Sequence, residues 1–354
     1  MNRYIIIASA CAIGFATMPL VSCKGKDKQD STVALFPIKQ NDKWGYIDNT
    51  GKVAIEPQYY SAWDFSEGLA RVCPTDSGGV GFIDYRNKMV IKPEFGLAWD
   101  FSEGLALVTK TFGGKCGYIN KSGEYVIKAQ FDLPALTNIG SFSGGMAVVR
   151  ITGKFGYIDK KGQIVIEPSY DAAKVFCEGL AAVRKGAKWG YIDTSGKIVV
   201  DFKFAVAGDF KEGFASVAEK ISDKWGYIDK TGNYAIKAQF DATCPFSEGM
   251  GLVRVGDKWG YIDTSGNMVI QPQFNEAMPF SENLTSVTRE RKWVYIDKTG
   301  RTVLTPQTDN SRITPGSFSH GVARIIKKVN TDKGENIEWY YIDINGKYIW
   351  EPTK

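Results

Sequence analysis

Six glutamates recur in one local setting, Ser-Glu-Gly or a close variant: Glu67, Glu103, Glu178, Glu212, Glu248 and Glu282. A glycoside hydrolase would need two carboxyl groups converging on one bond, about 5–10 Å apart. Six equivalent copies distributed along a chain point instead to a turn or cap that each copy builds for itself. A second series, Asp48, Asp84, Asp159, Asp193, Asp229, Asp263, Asp297 and Asp343, could supply oxygen to calcium. A calcium ion takes six to eight oxygens from clustered acids; one Asp per copy, replaced once by Asn120, fits turn hydrogen bonding better. No metal site and no cofactor is expected.

The chain has a single histidine, His320, standing where other copies have the glutamate, in Ser319-His320-Gly321. One imidazole in 354 residues argues against a His base, a His–Cys pair or a His-ligated metal cluster. The lysines that follow the turn aspartates, Lys121, Lys160, Lys161, Lys230 and Lys298, form a candidate binding rim for an anionic glycan or a partner protein. Net charge is +5 and dispersed, without the clustered basic footprint that nucleic acid requires. No Gly-rich phosphate loop joins a strand to a helix, so nucleotide binding has no support.

These residues must be positioned by a repeated unit, because they repeat. Lys43-Trp44-Gly45-Tyr46-Ile47-Asp48 returns at Lys188–Asp193, Lys224–Asp229 and Lys258–Asp263. Weaker copies begin near Val80, Cys116, Phe155, Trp293 and Trp339, and the central glycines at 45, 81, 117, 156, 190, 226 and 260 are 34 to 39 residues apart. Each copy continues with a turn Gly, an apolar run such as Val53-Ala54-Ile55-Glu56-Pro57, an aromatic residue, Phe-Ser-Glu-Gly and Leu-Ala-x-Val.

This order of motifs resembles the bacterial WG-repeat family, over about residues 33–354. The resemblance implies an all-β repeat fold and an interaction role, without a set ligand or catalytic residues.

The residues themselves also dictate β structure. In Trp44-Gly45-Tyr46-Ile47 alternation places Trp44 and Tyr46 on one face. Asp48-Asn49-Thr50-Gly51 has the composition of a type I turn closed by a left-handed residue, so a hairpin leads into Val53–Glu56, where Pro57 is expected to end the strand. Asn87 and Asn283 replace glycines expected at positive φ, and Asn is the residue best tolerated there. The Trp-Gly glycine instead becomes Val294 and Tyr340, which implies that a neighbour packs closely on it in the other copies. The Trp residues Trp44, Trp189, Trp225, Trp259 and Trp293 are expected to pack the repeats rather than to stack on sugars.

The body starts at Ala34-Leu35-Phe36-Pro37-Ile38, a third-strand position, and ends after a second strand at Tyr348-Ile349-Trp350-Glu351-Pro352. Nine three-stranded meanders are then each complete, with no strand left to finish a blade begun at the other end. Propellers usually have four to eight blades of four strands. The expectation is therefore a tandem array of about nine three-stranded antiparallel repeats in an open solenoid or superhelical stack, with a closed propeller-like ring as the alternative. Lengthened copies around Leu133–Gly140, Asn310–Gly316 and Lys327–Glu335 are candidate functional loops.

Residues 1–22 contain one charge, Arg3, and an apolar run from Tyr4 to Leu20, short for a spanning helix. They read as a secretory signal peptide. Leu20-Val21-Ser22-Cys23 resembles the lipobox of bacterial lipoproteins, which implies lipidation of Cys23 and a membrane anchor that does not cross the bilayer. Residues 23–32 then form a flexible tether. The expected location is the bacterial cell envelope, at the outer membrane or cell surface, with a protein partner or an envelope glycan bound by the array. Cys73, Cys116, Cys177 and Cys244 fall at different repeat phases and read as small buried hydrophobes. Two further readings are an envelope glycan hydrolase built on carboxylates, and a glycan-binding protein using surface Trp outside the repeat core.

Overall fold

The computed structural model describes residues 34–132, 140–306, 312–331 and 334–352. The expectations placed on the signal peptide, Cys23, the tether and residues 133–139 fall outside that range. Among the described residues the chain forms nine small antiparallel sheets in chain order, with no helix. Blade 1 pairs Leu35–Gln40, Lys43–Asp48 and Val53–Tyr59. Blade 2 adds a leading strand, running Ser61–Ala62, Ala70–Cys73, Val80–Ile83 and Met89–Phe95 in simple meander order. Blades 3, 5, 6, 7 and 9 are also four-stranded. In blades 4 and 8 single bridges, Asp132 to Arg150 and Ala277 to Val287, stand in for the leading strand.

The three-stranded unit is thus corrected to a four-stranded blade in six of the nine sheets and holds in blades 1, 4 and 8. The leading strand was hidden because it has only two residues in five blades, too few for any alternation to register. Pro57 is corrected as well: the trailing strand continues through it to Tyr59. Pro57 sits on a sheet edge beside a register shift between Trp44/Tyr59 and Tyr46/Ile55, where no ladder donor is needed.

The same bulge explains the Trp-Gly glycine. A Cβ on Gly45 would lie 2.4 Å from the Ile55 carbonyl oxygen and 2.6 Å from the Pro57 nitrogen. The trailing strand runs across that glycine with backbone contact, which side chains cannot relieve. In blades 8 and 9 the trailing strands are only Thr302–Leu304 and Tyr348–Trp350 and stop short of the crossing, so Val294 and Tyr340 fit.

Consecutive blades are joined by one repeated contact. Tyr157, Tyr191, Tyr227 and Tyr261 are fully buried, and each hydroxyl donates across 2.8 Å to the carbonyl oxygen of Lys174, Gly208, Cys244 or Met278 in the next blade. The tyrosine ring meets the phenylalanine of the next Phe-Ser-Glu-Gly segment, as in Tyr191–Phe210 and Tyr261–Phe280, at centroid distances of 5.0 and 4.9 Å. Such a contact satisfies a buried hydroxyl and buries two aromatic faces at once.

The array closes on itself, which overturns the open stack and establishes the alternative, a nine-bladed propeller. Tyr341 of blade 9 donates its hydroxyl to the Pro37 carbonyl of blade 1 at 2.6 Å. Trp44 and Trp339 meet edge to face at 4.6 Å. Ile38 and Ile47 of blade 1 share a buried cluster with Val322 and Tyr341 of blade 9. The phase argument failed because it required a shared strand for closure. Here each terminal blade is built from contiguous chain, and side chains make the joint.

Candidate functional site

The Ser-Glu-Gly segments are two-residue hairpin turns. In the first, Ser66 and Leu69 exchange backbone hydrogen bonds of 2.9 and 3.1 Å while Glu67 and Gly68 occupy φ of 51° and 88°. Two central residues at positive φ define the turn that matches strand twist. Asn or Gly would suit the first position better than Glu. All six glutamates nevertheless hold φ between 51° and 55°, and His320 holds 54°.

The carboxylate explains why glutamate is kept. Glu178 accepts from the backbone amides of Glu212 and Gly213 at 2.6 and 3.0 Å. Glu212 does the same for Glu248 and Gly249, Glu248 for Glu282 and Asn283, and Glu282 for His320 and Gly321. Each turn is pinned to the next by the same side chain. Glu67 and Glu103 extend the series to Gly104 and Gly145, and Gly144 interrupts it by standing where blade 4 would have its glutamate.

Four of the five candidate rim lysines join this belt. Lys121 lies 3.3 Å from the Glu67 carboxylate, Lys160 3.1 Å from Glu103, Lys230 3.2 Å from Glu178 and Lys298 3.5 Å from Glu248. Each hairpin-tip lysine reaches back one blade. Lys161 is exposed and gives its backbone amide to Asp159. Burial alone would raise the Glu178 carboxyl, but the Gly213 amide, Lys230 and the Glu212 amide outweigh it and hold the group below the usual carboxylate range.

The turn aspartates are likewise occupied by their own turns. Asp229 accepts from the Thr231 hydroxyl at 2.6 Å, the Thr231 amide at 2.8 Å and the Asn233 amide at 3.1 Å, and the Thr231 hydroxyl leads in holding it below its ordinary pKa. Among the described residues no three His, Cys, Asp or Glu side chains gather as a metal site would need. Trp189 and Trp259 lie beneath Arg184 and Arg254, with guanidinium-to-ring distances of 5.6 and 5.8 Å. They pair across the sheet with Phe204 and Phe274, so these tryptophans pack blades, as expected.

Burial pushes the Cys116 thiol to about 11 and the Cys244 thiol to about 12, as it would for inert core residues. Cys73 is half-buried and, like Cys116 and Cys244, free, and Cys177 is buried.

One place breaks the periodicity. Blade 1 has no leading strand and no Ser-Glu-Gly turn among the described residues, and a cavity of about 670 Å³ lies at the joint of blades 8, 9, 1 and 2. Phe65 shows the effect: its seven equivalents from Phe101 to Phe318 are at most 2% exposed, while Phe65 is only half-buried. His320, the deviant turn residue of the sequence, lines this cavity with Ser319, whose hydroxyl is 3.0 Å from its Nδ1. Arg324 also lines it, donating to Asp64 at 2.7 Å and to the Tyr341 hydroxyl at 3.0 Å. The sequence flagged His320 and the chain ends separately; it held no signal that the two meet.

Comparison with known proteins separates the repeat from the ring. No curated protein matches the chain. Among solved structures the dihydro-heme d1 dehydrogenase NirN in complex with DHE is 11% identical, with 93% of this chain and 75% of that chain covered and a TM-score of 0.49. Kluyveromyces lactis Hsv2 is 12% identical over 68% of this chain and 96% of that chain, TM-score 0.40, and a streptogramin B lyase is 17% identical over 66% and 91%, TM-score 0.34. These scores are too low to inform either fold or chemistry. The family model for the WG containing repeat matches residues 44–73, 81–116, 117–155, 155–189, 189–220, 225–259 and 259–293 in sequence. Those boundaries follow the interval at which the Tyr hydroxyls and Glu carboxylates stitch blade to blade, and the chain belongs to the WG-repeat family.

Proposed function

We propose that the protein is a non-catalytic interaction or scaffolding ring, tethered to a bacterial cell envelope by a lipid on Cys23. The observation that carries this reading is the use made of the periodic acids. Every glutamate that could have served a hydrolase pins a neighbouring turn. A surface suited to a protein partner accompanies it. The second residue of the trailing strand is an exposed valine in blades 3, 4, 5, 7 and 8, at 126, 165, 199, 269 and 303, each 37–46% accessible, so exposed apolar residues recur on the outer strand edges, with Ala235 between them in blade 6. Periodic exposed apolar residues on unpaired edges are a resource for docking and a liability without a partner. The basic rim, with Lys161 as the member outside the carboxylate belt, would add orientation to such docking rather than its core energy.

The test is crosslinking of the native, lipidated protein in its own envelope. A partner should be captured, and Val165→Lys with Val199→Lys should abolish capture without altering thermal stability. Cys23→Ala should move the protein out of the membrane fraction. Capture unaffected by both lysines would remove the proposed surface, and unchanged fractionation of the Cys23 variant would remove the anchor.

A further inference from the structure

We infer that the cavity at the joint of blades 8, 9, 1 and 2 is a binding site for a neutral, hydroxyl-bearing ring ligand, one to a few sugar units of an oligosaccharide. This goes beyond the interaction reading and does not depend on it. Three observations converge.

The first is that the site is built by departures from the repeat. Two positions of the belt change together here: Tyr85 occupies the hairpin-tip position that is Lys121, Lys160, Lys230 or Lys298 in four other blades, and His320 replaces a glutamate. The sequence ahead of the first strand of blade 1, Leu35–Gln40, carries no Phe-Ser-Glu-Gly segment. Without a glutamate one blade back to reach, Tyr85 turns onto Phe65, and the two rings stack at 4.4 Å with planes 19° apart. A lysine there would have filled the same space with charge.

The second is the lining. Phe36, Phe65 and Tyr85 give flat apolar surface, and Ser319 and His320 face it from blade 9 with hydroxyl and imidazole groups. Sugar rings present that pairing, one face of C–H groups and an equator of hydroxyls; an aromatic ring takes the first by dispersion and hydroxyl or imidazole groups take the second. The volume is in the range of small-ligand sites, which are mostly apolar with a few placed polar groups.

The third is charge. Arg324 and Asp64 are the cation and the acid of the lining, and they are paired with each other at 2.7 Å. An anionic ligand would have to take Arg324 from Asp64, and a cationic one would have to take Asp64 from Arg324. Either exchange leaves a charge without its partner, so a neutral ligand suits the site best. A purely apolar ligand would strand Ser319 and His320 without partners.

The experiment is titration of the full-length protein with neutral trisaccharides (maltotriose, cellotriose, triacetylchitotriose and mannotriose) by calorimetry, alongside a neutral tripeptide and an anionic sugar acid. Saturable binding of at least one neutral trisaccharide is expected, weakened tenfold or more by Tyr85→Lys. That variant restores the residue that four other tips already carry and should melt with the parent. Ser319→Ala should weaken binding severalfold with the apolar shelf intact. Binding of the peptide or the sugar acid in place of the neutral sugars would overturn the ligand class. Absence of saturable binding by all four trisaccharides, or binding indifferent to Tyr85→Lys, would overturn the site. Partner capture through the valine row reads out separately and should not respond to Tyr85→Lys.

Discussion

Ring closure can be tested at one hydroxyl. Tyr341→Phe removes the group that donates to the Pro37 carbonyl at 2.6 Å and accepts from Arg324 Nε at 3.0 Å. Tyr341 is 1% exposed, so water cannot replace the lost bonds without entering the joint. Leaving a buried carbonyl unpaired costs about 1–3 kcal/mol, and about 2 kcal/mol is a fair midpoint because Arg324 retains Asp64. Unfolding entropy of about 2.1 cal/mol/K per residue over about 320 residues gives about 0.7 kcal/mol/K, so about 3 °C in Tm. Tyr191→Phe, which breaks the Gly208 bond between two internal blades, provides the reference for a joint that any architecture would contain. In a closed ring the two variants shift the melting point alike in scanning calorimetry, and Tyr341→Phe also speeds amide exchange in Leu35–Gln40. In an open stack Tyr341 would lie in the terminal layer, wet at its hydroxyl, and its loss would change nothing. A shift of about 3 °C for Tyr191→Phe together with none for Tyr341→Phe would refute closure.

Gly190→Val should be severe, because a Cβ there would come within 2.5 Å of the Val200 carbonyl oxygen; Gly196→Asn should be mild, since φ is 83° and the nearest atom is a side-chain carbon of Ile166 at 3.3 Å. Circular dichroism melts separate the two, and equal shifts would remove the distinction between a backbone crossing and a left-handed turn. Glu212→Asn relieves an unfavourable φ but gives up two amide bonds to the next turn, at 2.7 and 2.8 Å. A net loss of about 1 kcal/mol is expected for these solvent-facing bonds, and a stabilised variant would show that the carboxylate belt contributes nothing. Acid should destabilise the ring. Asp193, Asp229 and Asp297 lie below their ordinary pKa, led by the hydroxyls of Ser195, Thr231 and Thr299, and Glu178 is also lowered. The unfolded chain therefore binds more protons than the folded one as pH falls, so the stabilisation is whole above about pH 5 and drains away below about pH 4. A melting temperature flat from pH 7 to pH 3 would contradict it.

What the sequence made legible was whatever one repeat decides for itself. The hairpin of Trp44–Asp48 with Val53–Ile55 and the left-handed turn residues at Asn87 and Asn283 follow from spacing within a single copy, whereas the Ser-Glu-Gly glutamates read as structural from their recurrence alone and bond to the turn of the next copy. The two-residue leading strand left no alternation to detect, and the crossing that forbids a side chain at Gly45 involves Pro57, a residue that reads as a terminator. Closure is of another kind. It is decided by the small angle accumulated at each blade joint over nine joints, and no single copy encodes that sum. Its sequence traces are the exceptions in the outer copies: Arg324, a position that is arginine again at Arg71 but Ser216 or Leu252 in middle copies, Tyr85 in place of a tip lysine, His320 in place of a glutamate. Read one at a time, each looks like drift in a tolerant repeat. Brought together by the ring, they pair Arg324 with Asp64 across 260 residues and surround the cavity, so the least typical copies hold its most specific chemistry.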